Sequence, residues 1–398
     1  MNITIEPRKL SGQLNIIPSK SQAHRMLICA ALADKDCELY CPETNQDISA
    51  TVRCLNAIGA KISRTEIGYH ISPIATLPGT AVMDCGESGS TLRFMLPIAG
   101  ALGVTTTFIM HGRLSSRPLS PLWEEMERMG CKLSRSSGNT ILCSGRLHSG
   151  TYHIDGSVSS QFITGLLLAA PLMHGETRLE LCGKIESLPY IQMTQQVLSL
   201  FGINTDNYVI HEGQRYISPG NLAVEGDWSN AAFFLAANTL GCNIEILNLN
   251  VHSCQGDRSS AFLLEELKNF CEINAADIPD LVPILSVVAA ANNGARFTNI
   301  GRLRLKESDR VYSVISMLNA LGISAEDEGD TLLVHSGNIN GGCVNTFNDH
   351  RIAMSAAIAA ITAASPVTII NAECVAKSYP TFWEEYKRLG GQYEQYIW

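Results

Sequence analysis

The chain has 398 residues, 45% of them apolar and only 17% charged, with a formal net charge of −9. That length predicts two domains of roughly 200 residues each, and the low charge fraction excludes a disordered or coiled-coil protein. With an isoelectric point of about 5.6, nucleic acid is excluded as a partner, because neutralising a phosphate backbone takes a broad basic field.

The opening residues, MNITIEPRKLSG, carry no apolar signal segment. The two most apolar stretches, Leu281–Ala291 and Ile352–Ala364, are shorter than the ~20 residues a membrane span needs. A soluble, cytoplasmic chain with no membrane partner is expected. The thirteen cysteines are scattered singly, and the nearest pair, Cys37 and Cys41, has no second pair beside it. That spacing fits neither a zinc site nor a disulfide framework. Reduced structural thiols and no metal are expected.

In chain order, one segment type recurs: a small or polar cluster, an Ala-rich apolar run of helical length, then a turn and a β-branched strand. Copies begin near Ser19, Ser88, Ser157, Asp227, Asp280 and Asn348, at intervals of 69, 69, 70, 53 and 68 residues. An amphipathic helix alternates with it, five times ending near a glycine: Gly59, Gly130, Gly202, Gly322 and Gly390. Each is placed where a helix C′ residue needs positive φ; the fourth copy has Cys271 instead. The first helix of each unit is apolar nearly all round and reads as buried. The second carries a charged face, with Glu124, Glu125 and Arg128 in one copy and Glu384, Glu385 and Lys387 in another, and reads as solvent-side. The pattern predicts an α/β (α+β) fold of six repeated units with buried helices and outer sheets, three per domain: a two-domain inside-out α/β barrel. The break is expected near Val224–Asp227, with residues 20–225 as one domain and 1–19 together with 226–398 as the other.

There is no GxGxxG after a strand, no GxxxxGK[ST], no HExxH and no GxSxG, which argues against a Rossmann site, a P-loop, a zincin and a serine hydrolase. What stands out is how the buried helices begin. The first opens with Ser19-Lys20-Ser21 and carries Arg25; the second opens with Ser88-Gly89-Ser90-Thr91 and carries Arg93. The third opens with Ser157-Val158-Ser159-Ser160-Gln161, the sixth with Asn348-Asp349-His350-Arg351. One such start reads as an ordinary N-cap. Four, with cations embedded, read as anion sites built from free N–H groups, hydroxyls and positive charge. Loop cations add to them: Arg117 in RLSSRPLSP, Arg302, Arg304, Lys306 and Arg310 in GRLRLKESDR, and Lys377 in CVAKSYP. GRLRLKESDR alone reads as a solvated charged face; the whole set points to small polyanions bearing phosphate and carboxylate. Single residues have plainer readings too: Asp280 as a helix N-cap after Pro279, His350 as a partner of its neighbours, Tyr190 as core and Ser187 as a turn cap.

From Pro18 to Phe382 these features fall in the ordered motifs PSKSQAHR, ESGSTLR, RPL, DGSVSSQF, SLPY, VEGD, QGD, IPD, KESDR, NDHRIAM and AKSYP. On them the chain resembles the EPSP synthase family (3-phosphoshikimate 1-carboxyvinyltransferases) of enolpyruvyl transferases. The resemblance implies a monomer without cofactor, with its active site in a cleft between two domains. It implies transfer of the enolpyruvyl group of phosphoenolpyruvate to the 5-hydroxyl of shikimate 3-phosphate by addition and elimination, a step toward chorismate and the aromatic amino acids. Shikimate 3-phosphate would be held by Lys20, Ser21, Arg25, Ser159, Ser160, Gln161, Ser187, Tyr190, Asp280 and Lys306. Phosphoenolpyruvate would be held by Lys20, Gly89, Arg117, Gln161, Arg310, Arg351 and Lys377. Asp280 would be the base at the hydroxyl, and Glu307, with Lys20, His350 and Lys377, would handle the proton at the methylene carbon. The chain departs from the family pattern at Glu87, Ser90 and Arg302. Two rivals are a transferase acting on UDP-N-acetylglucosamine and a noncatalytic metabolite-binding protein. The first carries a reactive cysteine in the Arg117 loop, whereas this chain has none between Cys85 and Cys131. The second would be expected to lose Asp280, Glu307 or Lys377, and all three are present.

Overall fold

A computed structural model describes residues 1–396. It divides into two compact units, one of residues 18–225 and one of residues 1–17 with 226 onward. Each has its own hydrophobic core.

In the unit of residues 18–225 the helices are α1 (Lys20–Ala31), α2 (Gln46–Ala57), α3 (Gly89–Leu102), α4 (Leu122–Arg128), α5 (Ser160–Ala169) and α6 (Leu188–Leu200). Residues 91–101 of α3 and 162–169 of α5 are all buried, so these helices have no polar face to turn to water. By contrast α2 buries one stripe, Ile48, Ala50, Thr51, Cys54 and Leu55. Three sheets accompany the helices. Their strands alternate between buried and exposed residues, as in Cys37–Tyr40, because each sheet packs one face on helices. Strands Thr80–Asp84 and Thr105–Ile109 pair in parallel with α3 between them in the chain, and Gly150–Asp155 and Thr177–Cys182 do so around α5. A parallel pair needs such a crossover. The remaining parallel pair joins Cys37–Tyr40 to Asn221–Ala223, so the end of the unit supplies the strand that its first repeat lacks.

The second unit holds α7 (Trp228–Thr239), α8 (Ser260–Glu266), α9 (Val282–Ala291), α10 (Arg310–Ala320), α11 (His350–Ala359) and α12 (Phe382–Arg388). It too has three sheets. Parallel pairs again flank α9 (Cys271–Asn274 with Ala295–Thr298) and α11 (Gly342–Asn345 with Val367–Ile370). The N-terminal strand Ser11–Asn15 is the parallel partner of Asn243–Leu247. Among the described residues no helix is long and apolar enough to cross a membrane.

The five helix-ending glycines all have positive φ, from +77° to +109°. In the fourth copy, helix α8 instead stops at Glu266, capped by Leu267, and Cys271 opens the next strand. Glu125, read as solvent-side, is buried: it accepts from the Arg128 side chain and from the His153 N–H at 2.7 Å, tying α4 to a sheet strand. Asp280 is not a helix cap, because α9 begins two residues later with Leu281 at its N-cap.

Helices α3 and α5 approach so closely that only glycine fits at residue 165, where a Cβ would overlap the carbonyl of Arg93 and crowd Pro97. Gly165→Ala is therefore expected to destabilise the protein by about 1–3 kcal/mol, the usual cost of overpacking, read as a lowered midpoint in urea unfolding.

Candidate functional site

In the unit of residues 18–225, the N-termini of the buried helices carry the polar residues. Lys20 is the first residue of α1 and pairs with Asp47, on α2, at 3.0 Å. One turn further, the buried His24 passes a hydrogen bond through Thr51 to Thr91 and on to Ser88, each link 2.7–2.8 Å, which joins α1, α2 and the start of α3. Burial, then the charges of Lys20 and Arg25, hold His24 well below the ordinary histidine range, so it is neutral. Arg25 is enclosed: it donates to Thr194 at 2.8 Å, to Thr164 at 3.3 Å and to the carbonyls of Ser21 and Tyr190 at 2.6 and 3.1 Å, linking α1 to α5 and α6. Ser159 caps α5, with Ser160 and Gln161 in its first turn, and Ser187 stands at the N-cap of α6 in the left-handed region (φ +55°).

Gly89, the first residue of α3, lies against two guanidinium groups. A Cβ there would come within 2.7 Å of Arg117 Nη1 and 3.1 Å of Arg93 Nη1. This is the physical reason for glycine in Ser88-Gly89-Ser90. Glu87, the unusual residue of that motif, lies against Gly112 at the base of the loop bearing Arg117, where a Cβ would come 2.7 Å from its carboxylate oxygen.

The second unit assembles a separate charged cluster. Arg310 is 1% exposed and is clamped by three carboxylates: Asp349 at 2.9 Å, Glu307 at 2.6 Å and Asp280. Arg351 reaches the other oxygen of Asp280, Oδ2, at 3.2 Å, and Lys306 stands 3.5 Å from Oδ1. Lys377 donates to the carbonyl of Asn348 at 3.0 Å, and His350 is the buried first residue of α11. The GRLRLKESDR run is therefore no solvated face: Arg304 pairs with Asp327, but Lys306, Glu307 and Arg310 turn inward. Burial pushes the Asp280 carboxyl up, yet Arg351, Lys306 and Arg310 pull harder and hold it well below the usual carboxylate range. Burial drives the Lys306 ammonium down to about 8; Asp280 resists this, while Arg302 and Arg310 add to it.

The family model of EPSP synthase (3-phosphoshikimate 1-carboxyvinyltransferase) matches residues 5–273 and 265–386. The chain belongs to the EPSP synthase family. It is 36% identical to the 3-phosphoshikimate 1-carboxyvinyltransferase of Clostridium kluyveri, over 99% of this chain and 98% of that protein. It is 35% identical to that of Clostridioides difficile, over 99% of each. In three dimensions it is similar to EPSP synthase of Acinetobacter baumannii, with a TM-score of 0.81 at 22% identity over 99% of this chain and 100% of that one.

Of the residues that the EPSP synthase resemblance singles out, each unit gathers its own share. Lys20, Ser21, Arg25, Gly89, Arg117, Ser159, Ser160, Gln161, Ser187 and Tyr190 lie in one, and Asp280, Lys306, Glu307, Arg310, His350, Arg351 and Lys377 in the other. Sequence reasoning left out Asp349, which caps α11 and also binds Arg310 and Ser308. An acidic N-cap directly before His-Arg was its signal. It also missed Asp257, whose carboxyl burial pushes up to about 6, the nearby Asp280 charge adding to the rise.

Removing Asp349 leaves Arg310 buried with one partner fewer, and Asp349→Ala is expected to cost about 3–5 kcal/mol, as broken buried pairs do. Burial raises the Asp349 carboxyl but Arg310 outweighs it, so its value in the folded protein is lowered. Its stabilisation is therefore complete above the unfolded value of about 4 and is lost as the pH falls through the lowered folded value. Urea titrations from pH 7 to 3 check both expectations: Asp349→Asn removes that part of the acid dependence.

Proposed function

We infer that the protein transfers the enolpyruvyl group of phosphoenolpyruvate to the 5-hydroxyl of shikimate 3-phosphate, releasing phosphate, in the shikimate route to aromatic amino acids. The whole-length family match carries this reading. The two helix-terminal cation clusters support it, since both substrates are polyanions.

We assign shikimate 3-phosphate and phosphoenolpyruvate to the residue sets that the resemblance implies. The arrangement of buried helices and three sheets per unit is consistent with our reading of an inside-out α/β barrel. Arg117, Arg310, Arg351 and Lys377 would neutralise the carboxylate and phosphate of phosphoenolpyruvate, so that charge developing at the tetrahedral centre meets fixed cations. Asp280 would take the hydroxyl proton. Arg351, Lys306 and Arg310 hold its carboxyl well below the usual range, so those cations would set its strength as a base. Glu307, already held by Arg310 at 2.6 Å, would handle the proton at the methylene carbon with Lys20, His350 and Lys377.

Purified protein is expected to release phosphate from phosphoenolpyruvate only when shikimate 3-phosphate is present; release with UDP-N-acetylglucosamine alone would overturn the assignment. Lys20→Ala and Arg117→Ala should abolish turnover with unchanged circular dichroism. Gly89→Ala, by pushing into Arg117, should raise KM for phosphoenolpyruvate at least about tenfold, the scale of one charged hydrogen bond, while sparing shikimate 3-phosphate binding. Because Lys306 loses its charge as the pH rises through about 8, affinity for shikimate 3-phosphate should weaken above that pH. Calorimetry should find a flatter profile in Lys306→Met.

A further inference from the structure

We propose that Arg93 is a positioning residue for this reaction, fixing the side-chain amide of Gln161 so that its NH2 end is presented to the anionic substrates. The inference rests on the reading above that Gln161 touches them. Arg93 lies in the middle of the first turns of α3, 3% exposed, with its guanidinium over the ring of Phe162 at 5.4 Å. Its Nη1 donates to Gln161 Oε1 at 2.6 Å. The other end of the same amide, Nε2, donates to Ser90 Oγ at 3.0 Å. A guanidinium has donors only, so it accepts one orientation of the amide; the flipped form would set donor against donor. With Oε1 committed, the second Nε2 hydrogen is what Gln161 has to offer an anion.

The same guanidinium steadies two neighbours. Nη2 donates to the carbonyl of Pro118, the residue after Arg117, at 3.0 Å, and Nη1 lies where any side chain at Gly89 would intrude. Arg93 thus joins the start of α3, the start of α5 and the Arg117 loop through one planar group, a geometry that a lysine ammonium does not reproduce. A packing role alone would call only for a residue of that volume above Phe162.

Steady-state kinetics of a double-mutant cycle tests the inference. Arg93→Met is expected to lower kcat/KM for phosphoenolpyruvate about 10- to 100-fold, the range for a charge-assisted hydrogen bond. Gln161→Ala should do the same, and the double variant should be no worse than Gln161→Ala alone. Gln161→Glu keeps the Arg93 contact but has no amide donor, and it should fall with Gln161→Ala while remaining as stable as wild type to heat. Losses that multiply in the double variant, or a fully active Gln161→Glu, overturn the inference. If Gln161→Ala itself leaves the kinetics unchanged, the placement of Gln161 at the substrates fails, and the inference with it.

Discussion

The constraint on which the charged cluster depends is a guanidinium that the chain buries and must therefore neutralise. Arg310 sits at the start of α10, almost without solvent, and its fork is answered by Asp280, Glu307 and Asp349. An unpaired charge at that depth would cost several kcal/mol. Those three carboxylates come from separate parts of the chain, so satisfying one arginine brings the start of α11, the approach to α9 and the KESDR loop into register. Two of the three are the groups to which proton transfer is assigned. On that assignment, the demand for charge neutrality in the core also assembles the proton-transfer groups.

The other unit meets the same demand differently. Two of its buried arginines, Arg25 and Arg93, donate to hydroxyls, backbone carbonyls and a glutamine amide. Such partners satisfy donors without themselves carrying charge. Lys20 pairs with Asp47. One cluster holds its arginines on neutral acceptors, and the other carries carboxylates whose basicity neighbouring cations set.

Much of this was legible in the sequence, for identifiable reasons. The helix-ending glycines were readable because a left-handed residue admits few alternatives, and all five hold that conformation. The helix starts were readable because small polar residues before an apolar run cap helices, as Ser88, Ser159 and Asp349 do here. Glu125 was misread because a helical wheel records side-chain type and not what lies across the gap, here the His153 N–H. Asp280 also read as a cap, since Pro279 before it suits that role; the start of α9 two residues later, and Arg310 and Arg351, distant in the chain, decide otherwise. The partners of Arg93 escaped for a related reason. Periodicity places it on an all-apolar helix, but its partners Gln161 and Pro118 are set by tertiary packing.

The unit of residues 18–225 interrupts the other one, and its two ends meet: Ser19 N–H donates to the Glu225 carbonyl at 2.8 Å, while Asp227 N–H donates to that of Ile17 at 2.9 Å. To the interrupted unit, then, half the molecule is thermodynamically a tight turn, since its entry and exit are already held together and the entropy of closing a long loop is met by the insert's own folding. A domain joined in this way behaves as a cassette: its core can vary in size and sequence without lengthening the connection that its host must close.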